Sequence, residues 1–210
     1  MPVEAAQYPV NLVLTGQPCL VVGGGAVAAR KVAGLLTCGA DVRVIAIAPG
    51  PELEATGVVV ERRPFRRGDV AGYRLVMAAT DEPLVNRQVF EDAQAAGIWV
   101  NTADDPALCT FTLPSVVRRG PIMVTVSTGG HSPALAAWLR SQLADQLGPE
   151  YEVLLDLLSA ARNDLKAAGR STEEVDWKTV LDSDMLDRIR AGQITEARER
   201  LQACLSLSSD

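Results

Sequence analysis

The sequence predicts an α/β protein: a doubly wound parallel sheet in its N-terminal part, then a dimerisation segment, then a small all-helical C-terminal domain. Three observations lead there. Apolar runs alternate with helical stretches through the first half of the chain, as strands crossed over by helices do. Aromatics are 4% of the 210 residues while hydrophobic residues are 48%, so Val, Leu, Ile and Ala must build the core, which suits a sheet buried on both faces. Past Gly148-Pro149 the periodicity is helical only.

The elements follow in order. Tyr8 to Leu14 is short and apolar, and Gly16-Gln17-Pro18 turns it. Cys19-Leu20-Val21-Val22 is a continuous apolar run, the mark of a buried strand. Gly23-Gly24-Gly25 follows at once, and Ala26 to Thr37 reads as a helix stopped near Gly39. Asp41 to Ile47 is a second strand, broken by Pro49-Gly50-Pro51. Val58 to Glu61 and Leu75 to Ala79 are the third and fourth. Glu82 to Ala96 is a helix with Pro83 in its first turn, and Ile98 to Asn101 is a fifth strand. Phe111 to Pro114 and Ile122 to Ser127 are strand-like, separated by Arg118-Arg119-Gly120, and either form a hairpin or pair with another chain. Helices are expected over Ala134 to Leu147, Glu150 to Ala168, Glu173 to Leu181, Asp184 to Ala191 and Thr195 to Leu205.

Bulk chemistry removes several classes. The net charge of -6 argues against a nucleic-acid footprint, which needs clustered cations. The one basic cluster, Arg62, Arg63, Arg66 and Arg67, reads as a solvated loop or as anion binding at a site mouth. No apolar run approaches the roughly 20 residues of a membrane span. No charged start leads into an apolar run, which predicts no signal peptide and a cytoplasmic protein. Four cysteines without metal-ligand spacing predict free thiols in a reducing compartment, and the single histidine, His131, leaves no His-rich metal site.

Four motifs carry chemistry. Gly23-Gly24-Gly25-Ala26-Val27-Ala28 joins a buried strand to a helix, the context a dinucleotide fingerprint demands. Gly23 serves the tight turn, Gly25 admits a pyrophosphate to the backbone, and small Ala28 lets helix and strand pack closely. The helix N-terminus offers unpaired N–H groups to the phosphates. The second strand ends in Val44 to Pro49, with neither an acid for ribose hydroxyls nor an arginine for a 2′-phosphate, so these residues leave NAD and NADP open. Ala78-Ala79-Thr80-Asp81 ends the fourth strand at the ligand edge; Thr80 there touches cofactor, caps the next helix, or does both. Asn101 to Pro106 places Asp104 and Asp105 at the same edge, as a general base or as an Asx turn before Pro106. Ser127 to Pro133 joins hydroxyls, glycine backbone and a helix start, which suits substrate carboxylates or a capped connection.

Taken together, the run from Tyr8-Pro9-Val10 through the glycine loop to Arg30-Lys31, Ala78 to Asp81 with Asn86, Asn101 to Pro106, Phe111 to Pro114, and Ser127 to Pro133 with Arg140 resemble the precorrin-2 dehydrogenases. These include stand-alone enzymes and the N-terminal module of siroheme synthase. The resemblance covers residues 5 to 148 and implies a Rossmann-type NAD-binding domain over 1–113. It implies a dimerisation and substrate-binding segment over 114–148, ahead of the helical domain over 149–210. The reaction implied is NAD-dependent oxidation of precorrin-2 to sirohydrochlorin, with iron insertion added in some members. Asp104 falls on the family's catalytic aspartate, taking a proton or holding developing charge. Beside Gly23, Gly24 and Gly25, cofactor contacts map to Ala26, Val27, Ile47 and Ala48, with Thr80 at the same edge; NAD becomes the expected dinucleotide. Ser127, Thr128, Gly129, Gly130, His131 and Ser132 map to the tetrapyrrole side, and Arg118, Arg119 and Arg140 are candidates for substrate carboxylates. The family is a homodimer that exchanges its middle segments, here Ile122 to Ser127 and the helix from Ala134. A non-enzymatic dinucleotide sensor, the rival reading, needs neither the Asp104 loop nor the Ser127 to Pro133 loop.

Overall fold

The computed structural model describes residues 6–207, with side chains through residue 205. Its elements run β1 (Pro18–Val22), α1 (Ala26–Thr37), β2 (Asp41–Ile45), α2 (Pro51–Glu54), β3 (Val59–Glu61), β4 (Leu75–Ala78), α3 (Pro83–Ala95), β5 (Trp99–Thr102), β6 (Ser115–Arg119), β7 (Ile122–Val126), α4 (Pro133–Gln146), α5 (Glu150–Ala167), α6 (Trp177–Leu181), α7 (Met185–Arg190) and α8 (Ile194–Leu207). The chain divides into two compact units: residues up to Leu113 together with Thr128–Pro133, and Pro114–Ser127 together with the residues from Ala134 on.

The first unit is a five-stranded, all-parallel sheet in the order β3-β2-β1-β4-β5. The strand order reverses beside β1, and the crevice at such a switch point is where open α/β sheets bind ligands. Strand periodicity builds the two faces. Cys19 and Val21 of β1 face one core with Ala28, Val32 and Leu35 of α1. Leu20 and Val22 face the other, with Val89 and Ala93 of α3. Burial pushes the Cys19 thiol up to about 11, so it acts as a small apolar residue. The crossover from β3 to β4 carries no helix. Val70 fills that face instead, with Phe65 and Tyr73 beside it.

The basic cluster holds that crossover. Arg63 donates to both carboxylate oxygens of Asp69, at 2.6 and 3.0 Å, and to Glu61. The Arg63 hydrogen bonds hold the Asp69 carboxyl below its ordinary range. Arg62 donates to Glu54 and Arg67 to Glu91.

In the second unit β6 and β7 form an antiparallel hairpin closed by Gly120-Pro121, with Gly120 at φ 50, the left-handed backbone a tight hairpin turn asks of its first loop residue. Leu154, Leu157, Met185, Ile189, Ala197 and Leu201 form the core of the C-terminal helices.

Several boundaries differ from expectation. Phe111 to Pro114 is not a strand, and Arg118-Arg119 lie within β6 rather than between strands. The cause is β5: Thr110 N–H donates to Val100 O at 2.8 Å and Asn101 to Phe111 O at 3.0 Å, so this stretch is bound before the hairpin starts. β2 stops at Ile45, because the chain beyond it turns so that Gly50 N–H donates to Gly24 O at 2.9 Å. Pro51 opens the one-turn α2 where a break was expected. The helix expected from Glu173 starts at Trp177, where Asp176 accepts from Thr179 N–H at 3.1 Å.

Leu20 is fully buried in the central strand. Leu20→Ala is expected to cost about 2–5 kcal/mol in denaturant unfolding, the range for a leucine lost from a close-packed core.

Candidate active site

The C-terminal ends of β1, β2, β4 and β5 share one edge of the sheet. At β1, Gly23 sits at φ 134, and a Cβ there would lie 2.1 Å from Ala79 O. A Cβ on Gly24 would lie 2.5 Å from Ala48 O. Side chains are impossible at both, so the loop passes between the ends of β4 and β2 as bare backbone. Gly25 differs: its φ of -85 is ordinary, and its Cβ would meet nothing within 4 Å. It is exposed and opens α1, whose first-turn N–H groups have no helical partners. This cradle has the shape and polarity for a pyrophosphate. Ala26 is exposed, Val27 half-buried, and Ala28 fully buried against the sheet. Ile47 and Ala48 are both exposed after β2, Ile47 to 75%.

Thr80 forms a closed knot with Asn86 of α3. Its hydroxyl donates to Asn86 Oδ1 at 2.8 Å, and Asn86 Nδ2 donates to Thr80 O at 2.9 Å. The same hydroxyl accepts from Glu82 N–H at 3.2 Å, a short turn ahead of α3 rather than a cap of it. The knot fixes the β4 end against which Gly23 packs.

The two adjacent acids part company. Asp105 accepts from Ala107 N–H at 3.2 Å and starts a 3₁₀ turn at Pro106–Leu108, which is the Asx role. Asp104 is exposed, makes no hydrogen bond among the described residues, and sits at φ 58. No other non-glycine residue described has a positive φ. Aspartate tolerates that region better than most residues, yet it is held there by its neighbours. Cys109 provides the hold. Its sulfur accepts from Thr102 N–H at 3.2 Å and lies 3.4 Å from Thr102 O and 3.3 Å from Asp105 O, so both ends of the Asp104 turn close on one atom. Burial pushes the Cys109 thiol up, which keeps it neutral in that place. Asn101, buried at the end of β5, donates to Phe111 O at 3.0 Å and accepts from Lys31 Nζ at 2.7 Å.

Thr128–Pro133 belongs to this first unit, whereas Ser127 goes with the hairpin. Gly129 and Gly130 have φ 60 and 81, folding the segment so that His131 N–H donates to Thr128 O at 3.0 Å. Thr128 Oγ1 donates to Ser132 O at 3.0 Å and accepts from Ser132 N–H at 3.2 Å. His131 is exposed at the tip. Of the arginines expected to take substrate carboxylates, Arg119 is committed elsewhere: it donates to Leu147 O at 2.6 Å and Ala144 O at 3.2 Å, satisfying the carbonyls that end α4. Arg118 and Arg140 are exposed. Among the described residues no three His, Cys, Asp or Glu side chains could hold a metal, and no helix is long and apolar enough to cross a membrane.

Residue reasoning missed Cys109, because nothing in the spacing links it to Thr102. Lys31 carried a signal: it falls three residues after Ala28 and four before Leu35, both buried, and so turns toward the sheet.

Gly23→Ala is expected to lower unfolding stability by about 2 kcal/mol or more, since backbone must move. Gly25→Ala is expected to leave stability within about 0.5 kcal/mol yet weaken dinucleotide binding about tenfold or more, read by titration.

Residues 10–115 match a family model described as NAD(P)-binding, and residues 119–146 match one described as sirohaem biosynthesis protein central. The chain is 40% identical over 206 residues to the siroheme synthase of Nitrosococcus oceani, covering 95% of this chain and 44% of that protein. It is 40% identical over 196 residues to the siroheme synthase of Pseudomonas putida, covering 90% and 42%. It thus spans less than half the length of these relatives. The solved structure of SirC, precorrin-2 dehydrogenase, is similar with a TM-score of 0.73 at 27% identity, covering 94% of this chain and 98% of that one. The chain therefore belongs to the NAD(P)-binding family.

Proposed function

We propose that this chain oxidises precorrin-2 to sirohydrochlorin, with NAD as the hydride acceptor and Asp104 as the acid–base or charge-holding residue. One observation carries the reading. The glycine cradle and Asp104, the one described side chain held at a positive φ without a hydrogen bond, stand on the same sheet edge. The relatives' names point to the same chemistry.

The residues fit a dinucleotide. Gly25 and the N-terminus of α1 hold the phosphates, Ile47 and Ala48 lie along the end of β2, and Thr80 stands at the end of β4. The end of β2 offers no arginine for a 2′-phosphate, and Arg62, after β3, is engaged by Glu54; this favours NAD over NADP. When bound, the dinucleotide supplies a two-electron acceptor. Asp104 receives the proton that leaves the substrate carbon framework, or balances the positive charge that forms there. The Thr128 to Ser132 turn, with backbone donors and the exposed His131, belongs to the same unit, and in this reading it takes the tetrapyrrole side, with Ser127 leading into it.

The segment 114–148 pairs with a second copy in this reading. Among the α4 residues only Ala136 is buried, while Leu135 and Trp138 are exposed to 47% and 58%. Such an apolar helix surface calls for a partner, and a self-complementary one closes a dimer.

The protein mixed anaerobically with precorrin-2 and NAD+ is expected to form NADH in step with sirohydrochlorin. A folded, NAD-binding protein that does not turn over overturns the assignment and brings the sensor reading forward. Asp104→Asn is expected to bind NAD+ as before and lose about 10²-fold or more in kcat. Sirohydrochlorin with ferrous iron and no NAD tests iron insertion separately. Trp138→Glu is expected to shift the protein from dimer to monomer by light scattering; an unshifted mass removes α4 from the interface.

A further inference from the structure

We propose that Lys31 is a positioning residue for Asp104: it anchors, through Asn101, the clasp that holds the Asp104 turn, and its ammonium is the positive charge set against that carboxylate. The proposal rests on the reading of Asp104 given above and adds a residue to it.

The geometry is specific. Lys31 Nζ donates to Asn101 Oδ1 at 2.7 Å, across 70 positions of sequence. Asn101 passes the restraint on: its Nδ2 donates to Phe111 O at 3.0 Å and lies 3.5 Å from Cys109 Sγ. Cys109 in turn binds both ends of the turn that carries Asp104. The chain of contacts runs from the helix that opens at the glycine cradle to the strained aspartate, and Lys31 is its only described member with a positive charge.

Holding an ammonium there is costly. Lysine chains ordinarily carry the charge out to water, as the neighbouring Arg30 carries its own on the exposed side of α1. Lys31 is half-buried, and burial pushes its ammonium below the ordinary lysine range. The titratable groups around it are the Cys109 thiol and Asp104, which favour its protonated form, and Arg30, which opposes it; Asp105 faces the thiol. Burial outweighs these favourable influences, so the protein accepts a destabilised cation whose charge Asp104 favours. A neutral donor would satisfy Asn101 equally well. What the neutral donor cannot supply is electrostatic attraction for the Asp104 carboxylate.

Two variants separate charge from packing. Lys31→Gln keeps a donor and removes the charge; Lys31→Arg keeps the charge. Each full-length variant is assayed with NAD+ and precorrin-2, with NAD+ binding titrated alongside. Lys31→Gln is expected to lose about tenfold or more in kcat while KM and NAD+ affinity stay within about twofold. Lys31→Arg is expected to recover most of that rate. The sign of the pH effect follows from the lowered titration of Lys31: wild-type rate falls as pH rises through it, because the ammonium is lost. Lys31→Arg is expected to hold its rate over that range, since guanidinium stays protonated.

Lys31→Gln at wild-type kcat overturns the proposal. So does equal impairment of Gln and Arg, which marks a packing role. Should Lys31→Gln fail to bind NAD+ through misfolding, the Arg variant decides alone: an alkaline fall identical to wild type overturns the proposal. Asp104→Asn, run in parallel, keeps the two readings apart. Full turnover of Asp104→Asn removes Asp104 itself, whereas an inactive Asp104→Asn beside a fully active Lys31→Gln removes only Lys31.

Discussion

The site depends on one steric constraint: the chain leaving β1 has to pass between the carbonyls of Ala79 and Ala48, where a side chain cannot follow. Glycine at 23 and 24 meets it. The consequences spread outward from that passage. It brings the ends of β4 and β2 against the loop, so Thr80, Ile47 and Ala48 border the same crevice. It sets where α1 begins, and therefore which N–H groups face the open space beside Gly25. It also sets where the second turn of α1 lands, and there Lys31 meets Asn101 at the end of β5. Cradle and clasp are two ends of one helix placement.

The Asp104 turn shows how a fold divides labour between like residues. Asp105 satisfies a backbone N–H and starts a 3₁₀ turn, so its carboxylate is committed. Asp104 has no such duty and is held in a backbone region that costs of order 1 kcal/mol or more. Such strain persists only where surroundings over-determine it. Here the surroundings are a thiol, an amide and an ammonium, none of which needs to touch substrate. The neutral thiol is well suited: a sulfur raised in pKa accepts from one N–H and reaches two carbonyls without adding charge beside the carboxylate.

The second unit obeys a different balance. Its C-terminal helices have their own core, while α4 presents Leu135 and Trp138 to the surface. Arg119 spends its donors on the end of α4, which ties the hairpin to that helix. An arginine that sequence chemistry offers to a substrate is thereby consumed in holding two elements together. The Arg62, Arg63 and Arg67 cluster met the same fate, each engaged by an acid of its own unit.

Local chemistry determined much of this protein. Apolar runs and their period marked β1, β4, α1 and α3, because burial on both faces of a sheet leaves strands no polar positions. Three glycines between a strand and a helix marked the ligand edge, since few other arrangements need them. Tertiary structure decided the rest, where the deciding partner is distant in sequence. Which of Asp104 and Asp105 stays uncommitted depends on Cys109 and on the 3₁₀ turn. Lys31 meets Asn101 only once the chain has folded, since 70 residues separate them. Phe111 to Pro114 has a strand's composition but no strand's partner, its backbone already bonded to β5. Composition and period report what a segment can bury; hydrogen-bond partners and charge pairs are settled only when the chain closes on itself.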